Sequence, residues 1–164
     1  MTTQKSPPKV EQILTFQLAD EAYGLEILKV QEIRGWESVR VLPNTPGFIK
    51  GALNLRGVIV PIIDLRERFG LQTVQYTPNT VVIVLYVTDG NHVRVMGIVA
   101  DSVSDVLDIK QNDIKVPPKL GANIDTRYMR GIYMHKNSMV MLLNVDKLLK
   151  LNEFEELDSI AGEI

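Results

Sequence analysis

The side chains able to do chemistry in this sequence are few and dispersed. His92 follows the turn Asp89-Gly90-Asn91 and His135 precedes Lys136-Asn137-Ser138, so both are expected at exposed hairpin ends, away from any nucleophile. Asp101, Asp105 and Asp108 cluster around Val103 and Val106-Leu107 and could in principle serve acid-base work, but their setting reads as a solvated rim. Asp64 stands where a short helix needs an oxygen acceptor. The sequence holds no HExxH, GxSxG, GxxxxGK[ST] or GxGxxG motif, and it has no cysteine to act as nucleophile, metal ligand or disulfide. The expectation is a protein that is not an enzyme, with no catalytic residues, no metal and no cofactor.

The segment that stands out is Ile27-Leu28-Lys29-Val30-Gln31-Glu32-Ile33-Arg34-Gly35-Trp36, which mixes apolar and charged residues. A period of two gives no clean apolar face, and helical spacing fits only its first part. Val30, Ile33 and Trp36 are left without a definite core assignment, which suits an apolar contact ringed by charge. The run equally suits a turn of helix followed by an ordinary buried strand.

The elements around it are predicted as hairpins. Leu14, Phe16 and Leu18 share one face of a strand and Tyr23, Leu25 and Ile27 one face of the next, with Ala19-Asp20-Glu21-Ala22 as the loop. After the turn Pro43-Asn44-Thr45-Pro46, residues 51–55 and 58–63 flank Arg56-Gly57 as a second hairpin. Asp64 caps a short helix over 65–69 that Gly70 stops. The polar stretch 72–79 marks a boundary between halves. Beyond it, the β-branched run Val81-Val82-Ile83-Val84-Leu85 and residues 93–100 form a third hairpin about Asp89-Gly90-Asn91. Lys115-Val116-Pro117-Pro118 opens a longer connection, and residues 131–134 and 139–143 flank the last turn. Leu148, Leu151, Phe154, Leu157 and Ile160 then recover helical spacing, so a C-terminal helix or tail is expected over 151–164.

The halves resemble each other. Gly51-Ala52-Leu53 leads to Asp64-Leu65 and Phe69 as Gly131-Ile132-Tyr133 leads to Asn144-Val145 and Leu149, while Gly24, Val30 and Ile33 recur as Gly97, Val103 and Val106. Two small β-barrels, each too small to stand alone, would account for this. Composition agrees with a folded chain: 45% hydrophobic and 23% charged over 164 residues. Eighteen basic against 20 acidic residues leave no positive field for nucleic acid. The polar residues 1–12 read as a flexible tail and no apolar run is long enough to span a bilayer, so a cytoplasmic protein without membrane insertion is expected.

Four segments in the same order, 23–33, 46–51, 54–66 and 97–107, closely resemble the CheW family of bacterial chemotaxis coupling proteins; together, one of them a thirteen-residue block from Asn54 to Arg66, they are highly specific. The resemblance runs from about Ile13 to Leu149, within a domain placed at 13–150. It implies a mainly β fold: two small five-stranded SH3-like β-barrel subdomains packed around a shared core, with short helices. It also implies a non-catalytic adaptor that joins the regulatory domain of the chemotaxis histidine kinase CheA to the cytoplasmic tips of chemoreceptors, recruited to membrane-associated arrays and monomeric when isolated. Kinase contacts would fall on Val30, Glu32, Ile33, Gly51 and Arg56. Receptor contacts would fall on Val81, Val82, Gly97, Val103 and Val106. Glu32 and Arg56 are expected to form an ion pair beside the kinase contact. A kinase regulatory domain or an adaptor of another chemosensory pathway stays open as an alternative, and more remotely a small β-barrel enzyme or nucleic-acid binder.

Overall fold

The computed structural model describes residues 9–37, 49–71, 75–116 and 126–150. Outside them lie most of the tail 1–12, the turn 43–46 with the motif start Pro46-Gly47-Phe48, part of the boundary stretch 72–79, Pro117-Pro118, the segment 120–125 and the C-terminal stripe from Leu151 onward.

Strand β1 (Val10–Leu18) pairs antiparallel with β2 (Glu21–Glu26), setting Leu14 against Leu25 and Phe16 against Tyr23. The connection is tighter than the loop predicted over 19–22. Only Ala19 and Asp20 turn, Ala19 at φ 49°, while Glu21 and Ala22 already belong to the ladder. A 3₁₀ turn over Ile27–Lys29 leads into β3 (Val30–Gly35). The hairpin β4 (Ile49–Leu55) and β5 (Val58–Asp64) follows, then the single-turn helix α1 (Leu65–Arg68), whose cap Asp64 accepts the amide of Arg66. In the second half β6 (Val81–Asp89) and β7 (His92–Ala100) pair along their length, and β8 (Ser102–Lys110) follows. The hairpin β9 (Met129–His135) and β10 (Ser138–Leu143) closes on α2 (Val145–Leu148), capped by Asn144.

The described ladders form two five-stranded sheets, one in the order β8-β1-β2-β10-β9 (sheet A) and one in the order β3-β6-β7-β5-β4 (sheet B). The repeat seen in the sequence is present in the pairing. Val30 faces Leu85 as Val103 faces Phe16, Ile33 faces Ile83 as Val106 faces Leu14, and Gly97 faces Ile62 as Gly24 faces Leu142. Sheet membership does not follow the chain halves: each half gives its first two strands to one sheet and its last three to the other. The sheets are therefore interleaved in sequence.

Packing explains the apolar run Val81-Val82-Ile83-Val84-Leu85. Ile83, Leu85 and Val87 join a core shared with Leu14, Phe16, Leu18 and Tyr23 of sheet A, while Val82 and Val84 join a second cluster with Leu53, Leu55, Val60 and Ile62 inside sheet B. A strand buried on both faces needs apolar residues at every position. Sheet A has its own smaller cluster of Ile13, Ile109, Val140 and Leu142.

A candidate protein-contact face on the third strand

Strand β3 is an edge strand of sheet B, and its register explains why no single period fits its sequence. The pairing shifts between Val30↔Leu85 and Glu32↔Val84, so Gln31 is an extra residue in a β-bulge. The bulge puts Val30 and Ile33, three apart, on the same face, opposite Leu85 and Ile83 of the shared core. Val30 packs half-buried against that core, whereas Ile33 lies beyond its edge and is 43% exposed. Glu32 and Arg34 take the other face.

Glu32 meets the tip of the β4–β5 hairpin. Arg56 donates from Nη2 to Glu32 Oε1 at 2.7 Å, and Arg34 Nη1 lies 3.9 Å from Glu32 Oε2. Arg34 also donates to Glu37, so the charges alternate along the rim. The hydrogen bond from Arg56 holds the Glu32 carboxyl below its ordinary value, with the charges of Arg56 and Arg34 adding to it, and the same bond raises Arg56. Gly51 is buried in β4 with φ 146° and faces Ile62; it offers backbone, not side chain. Trp36 closes the strand. Its ring stacks on Tyr76 at 4.1 Å and its amide bonds the Thr80 carbonyl.

The second set of predicted residues divides by burial. Val82 is fully buried in the cluster inside sheet B and presents no side chain to a partner. Gly97 is buried, and a Cβ there would lie 2.6 Å from Ile62 Cδ1 and 2.9 Å from Val82 Cγ1. Glycine at 97 therefore serves close strand packing. Val81 and Val103 are half-buried against the shared core, and Val106 is 49% exposed. Val103 and Val106 share a face through a second register shift, where Thr15 donates to the Asp105 carbonyl and accepts its amide, both at 2.9 Å.

Two features were not read from the sequence. Strand β8 was not recognised as a strand, because the bulge breaks its alternation. Asp101, read as part of a solvated rim, instead accepts Arg66 Nη1 at 2.8 Å and the Ala19 amide at 2.6 Å. Arg66 is fully buried and also pairs through Nε and Nη2 with both oxygens of buried Asp64, at 2.9 and 2.8 Å. An acid two residues before an arginine, at the mouth of an apolar strand, was the available signal. Asp105 and Asp108 are exposed as expected. His92 is exposed and His135 half-buried against Tyr133, and among the described residues no three His, Cys, Asp or Glu side chains gather to hold a metal. No helix among them is long and apolar enough to cross a membrane.

The model of the CheW-like domain matches residues 12–153. A chemotaxis protein CheW of Klebsiella aerogenes is 47% identical over 151 residues, 92% of this chain and 89% of that one. Another, of Rhizobium meliloti, is 31% identical over 88% of this chain and 90% of its own length. The crystal structure of the scaffolding protein TtCheW from Thermoanaerobacter tengcongensis superposes with a TM-score of 0.78 at 32% identity, covering 93% of this chain and 95% of that one. The duplicated motifs, the two interleaved sheets and these likenesses agree, and the chain belongs to the CheW family.

Proposed function

We propose that the chain is a non-catalytic adaptor that couples chemoreceptors to the histidine kinase CheA in a chemosensory array. It binds the kinase's regulatory domain through Val30, Glu32, Ile33 and Arg56, with Gly51 shaping the strand behind them. The observation that carries this reading is the rim of β3: an apolar side chain 43% exposed on an edge strand, beside a carboxylate held by a guanidinium from the hairpin across the sheet. Apolar anchors within polar rims dominate such interfaces. The names of its relatives, chemotaxis protein and scaffolding protein, support this reading.

The receptor tip binds at Val81, Val103 and Val106, and Val82 and Gly97 support that surface from beneath. On this reading each sheet curls into a small SH3-like barrel; in sheet B it is supported by Glu32 and Arg56, which meet although β3 and the β4–β5 hairpin stand at opposite edges. The adaptor is cytoplasmic, monomeric in isolation and recruited to membrane-associated receptors. It transmits a signal by binding the kinase-on and kinase-off arrangements with different affinity.

Ile33→Asp tests the face. Affinity for the CheA regulatory domain should fall about 30-fold or more, the cost of a hot-spot side chain, with the melting temperature nearly unchanged. Unchanged affinity, or an unfolded variant by circular dichroism, would remove the assignment.

A further inference from the structure

Two charged contacts tie the sheets together at places related by the internal repeat. On one side Arg66, in the helix that follows sheet B, bonds Asp101, whose other oxygen accepts the Ala19 amide at the end of β1 in sheet A. On the other, Asp146, in the helix that follows sheet A, accepts Lys29 Nζ at 2.8 Å and, through its second oxygen, the Thr88 amide of β6 in sheet B at 2.8 Å. Arg66 and Asp146 each stand two residues after an equivalent cap, Asp64 and Asn144. The sign of the helix charge is reversed between them.

The clamps are unequal. Arg66 and Asp64 are fully buried, Asp101 is 20% exposed in its side chain, and the Tyr76 ring lies 5.2 Å from the guanidinium. Lys29 and Asp146 form a single contact with side chains 25% and 33% exposed, bordering an open cleft lined by Glu26, Arg130 and Asn144. The guanidinium of the first clamp is closed to solvent, although Asp101 borders a cleft of its own, whereas both side chains of the second clamp are open to water and salt. Lys29 is also the residue immediately before β3, so the weaker clamp holds the entry of the strand that carries Ile33.

We propose that Lys29 and Asp146 are positioning residues forming a releasable clamp on β3, and that its opening changes how the β3 face meets a partner. The second clause rests on the adaptor reading. The buried clamp keeps the sheets together while the exposed one lets β3 shift against α2.

Hydrogen exchange of the whole chain tests this, with Trp36 fluorescence as a second probe at the end of β3. Asp146→Asn keeps an oxygen for the Thr88 amide but loses the charge, and Lys29→Met leaves that amide bond untouched. Both should speed exchange at residues 31–35 by about twofold to fivefold at low salt and alter Trp36 emission. Raising salt should bring the unaltered chain to the same rates, while amides of α1 stay as they were, and Lys29→Arg should restore protection. Unchanged exchange in both variants, no response to salt, or loss of fold in both would overturn the proposal. Faster exchange with an unaltered affinity for the CheA regulatory domain would uphold the clamp and overturn the clause that its opening changes how the β3 face meets a partner. The Ile33→Asp measurement tests the adaptor reading separately.

Discussion

Arg56 sits at φ 52° and Gly57 at φ 86°, so the two-residue connection between Leu55 and Val58 has the two positive φ angles of a type I′ hairpin. Asparagine or glycine is the comfortable first residue there, and an arginine in that conformation is strained. The strain is matched by what the position provides: a guanidinium aimed across the sheet at Glu32. The equivalent turn, Lys136-Asn137, has the same backbone form, and Lys136 and Asp105 repeat the charges, but among the described residues those two form no ion pair. Reversing either charge, Glu32→Arg or Arg56→Glu, should therefore lower affinity for the CheA regulatory domain with little change in melting temperature, and the double reversal should recover part of it. Because the Glu32 carboxyl is held below its ordinary value of 4.5, the pair's contribution is present above that pH and is lost only as pH falls through the lower folded value. Titrating the binding in acid checks this, and a loss setting in above pH 4.5 would contradict it. The pair was legible in the sequence because both charges stand inside otherwise apolar motifs. The burial of Val82 and Gly97 was not, since a valine or glycine in a strand looks the same whether it faces core or groove.

Hairpins announced themselves through alternation and turn residues, and those elements were read within a few residues. The third strand of each half was harder, because a bulge moves the apolar pair from a spacing of two to a spacing of three. Periodicity alone then points neither to helix nor to strand. The buried arginine escaped for a different reason. A charge at the start of a short helix reads as solvated, and only the fold shows Arg66 closed off between Asp64, Asp101 and the Tyr76 ring, with burial and the charge of Asp64 pushing the Tyr76 hydroxyl up to about 12. Both oxygens of Asp64 accept from that guanidinium, which is their cationic partner, beside the Arg66 amide and the Tyr76 hydroxyl. Arg66→Met should accordingly destabilise the protein by about 3–5 kcal/mol in urea denaturation, because it strands a carboxylate in the interior. Adding Asp64→Leu should recover part of the loss. If Arg66→Met alone costs less than about 1 kcal/mol, water must already reach the site.

At the scale of the molecule the duplication has a consequence that two similar halves alone would not have. Sheet A takes β1 and β2 from one half and β8, β9 and β10 from the other, and sheet B takes β3, β4 and β5 from one and β6 and β7 from the other. The shared core likewise mixes Leu14, Phe16 and Tyr23 with Ile83, Leu85 and Ile98. Neither half can complete a sheet, so neither has a face on which to bury its apolar residues. Cutting the chain within 72–79 should give two fragments that are each unfolded by circular dichroism and by amide dispersion in NMR. Mixed or coexpressed, they should assemble, because β3 then pairs with β6 and β8 with β1, and the Arg66–Asp101 and Lys29–Asp146 contacts close between fragments. The reconstituted pair should bind the CheA regulatory domain while neither fragment does, since Ile33 is presented only when β3 lies along β6. A fragment that folds cooperatively by itself would mean that a half can pair its first two strands with its own last three, and that the sharing of strands between halves is not what holds the two sheets together.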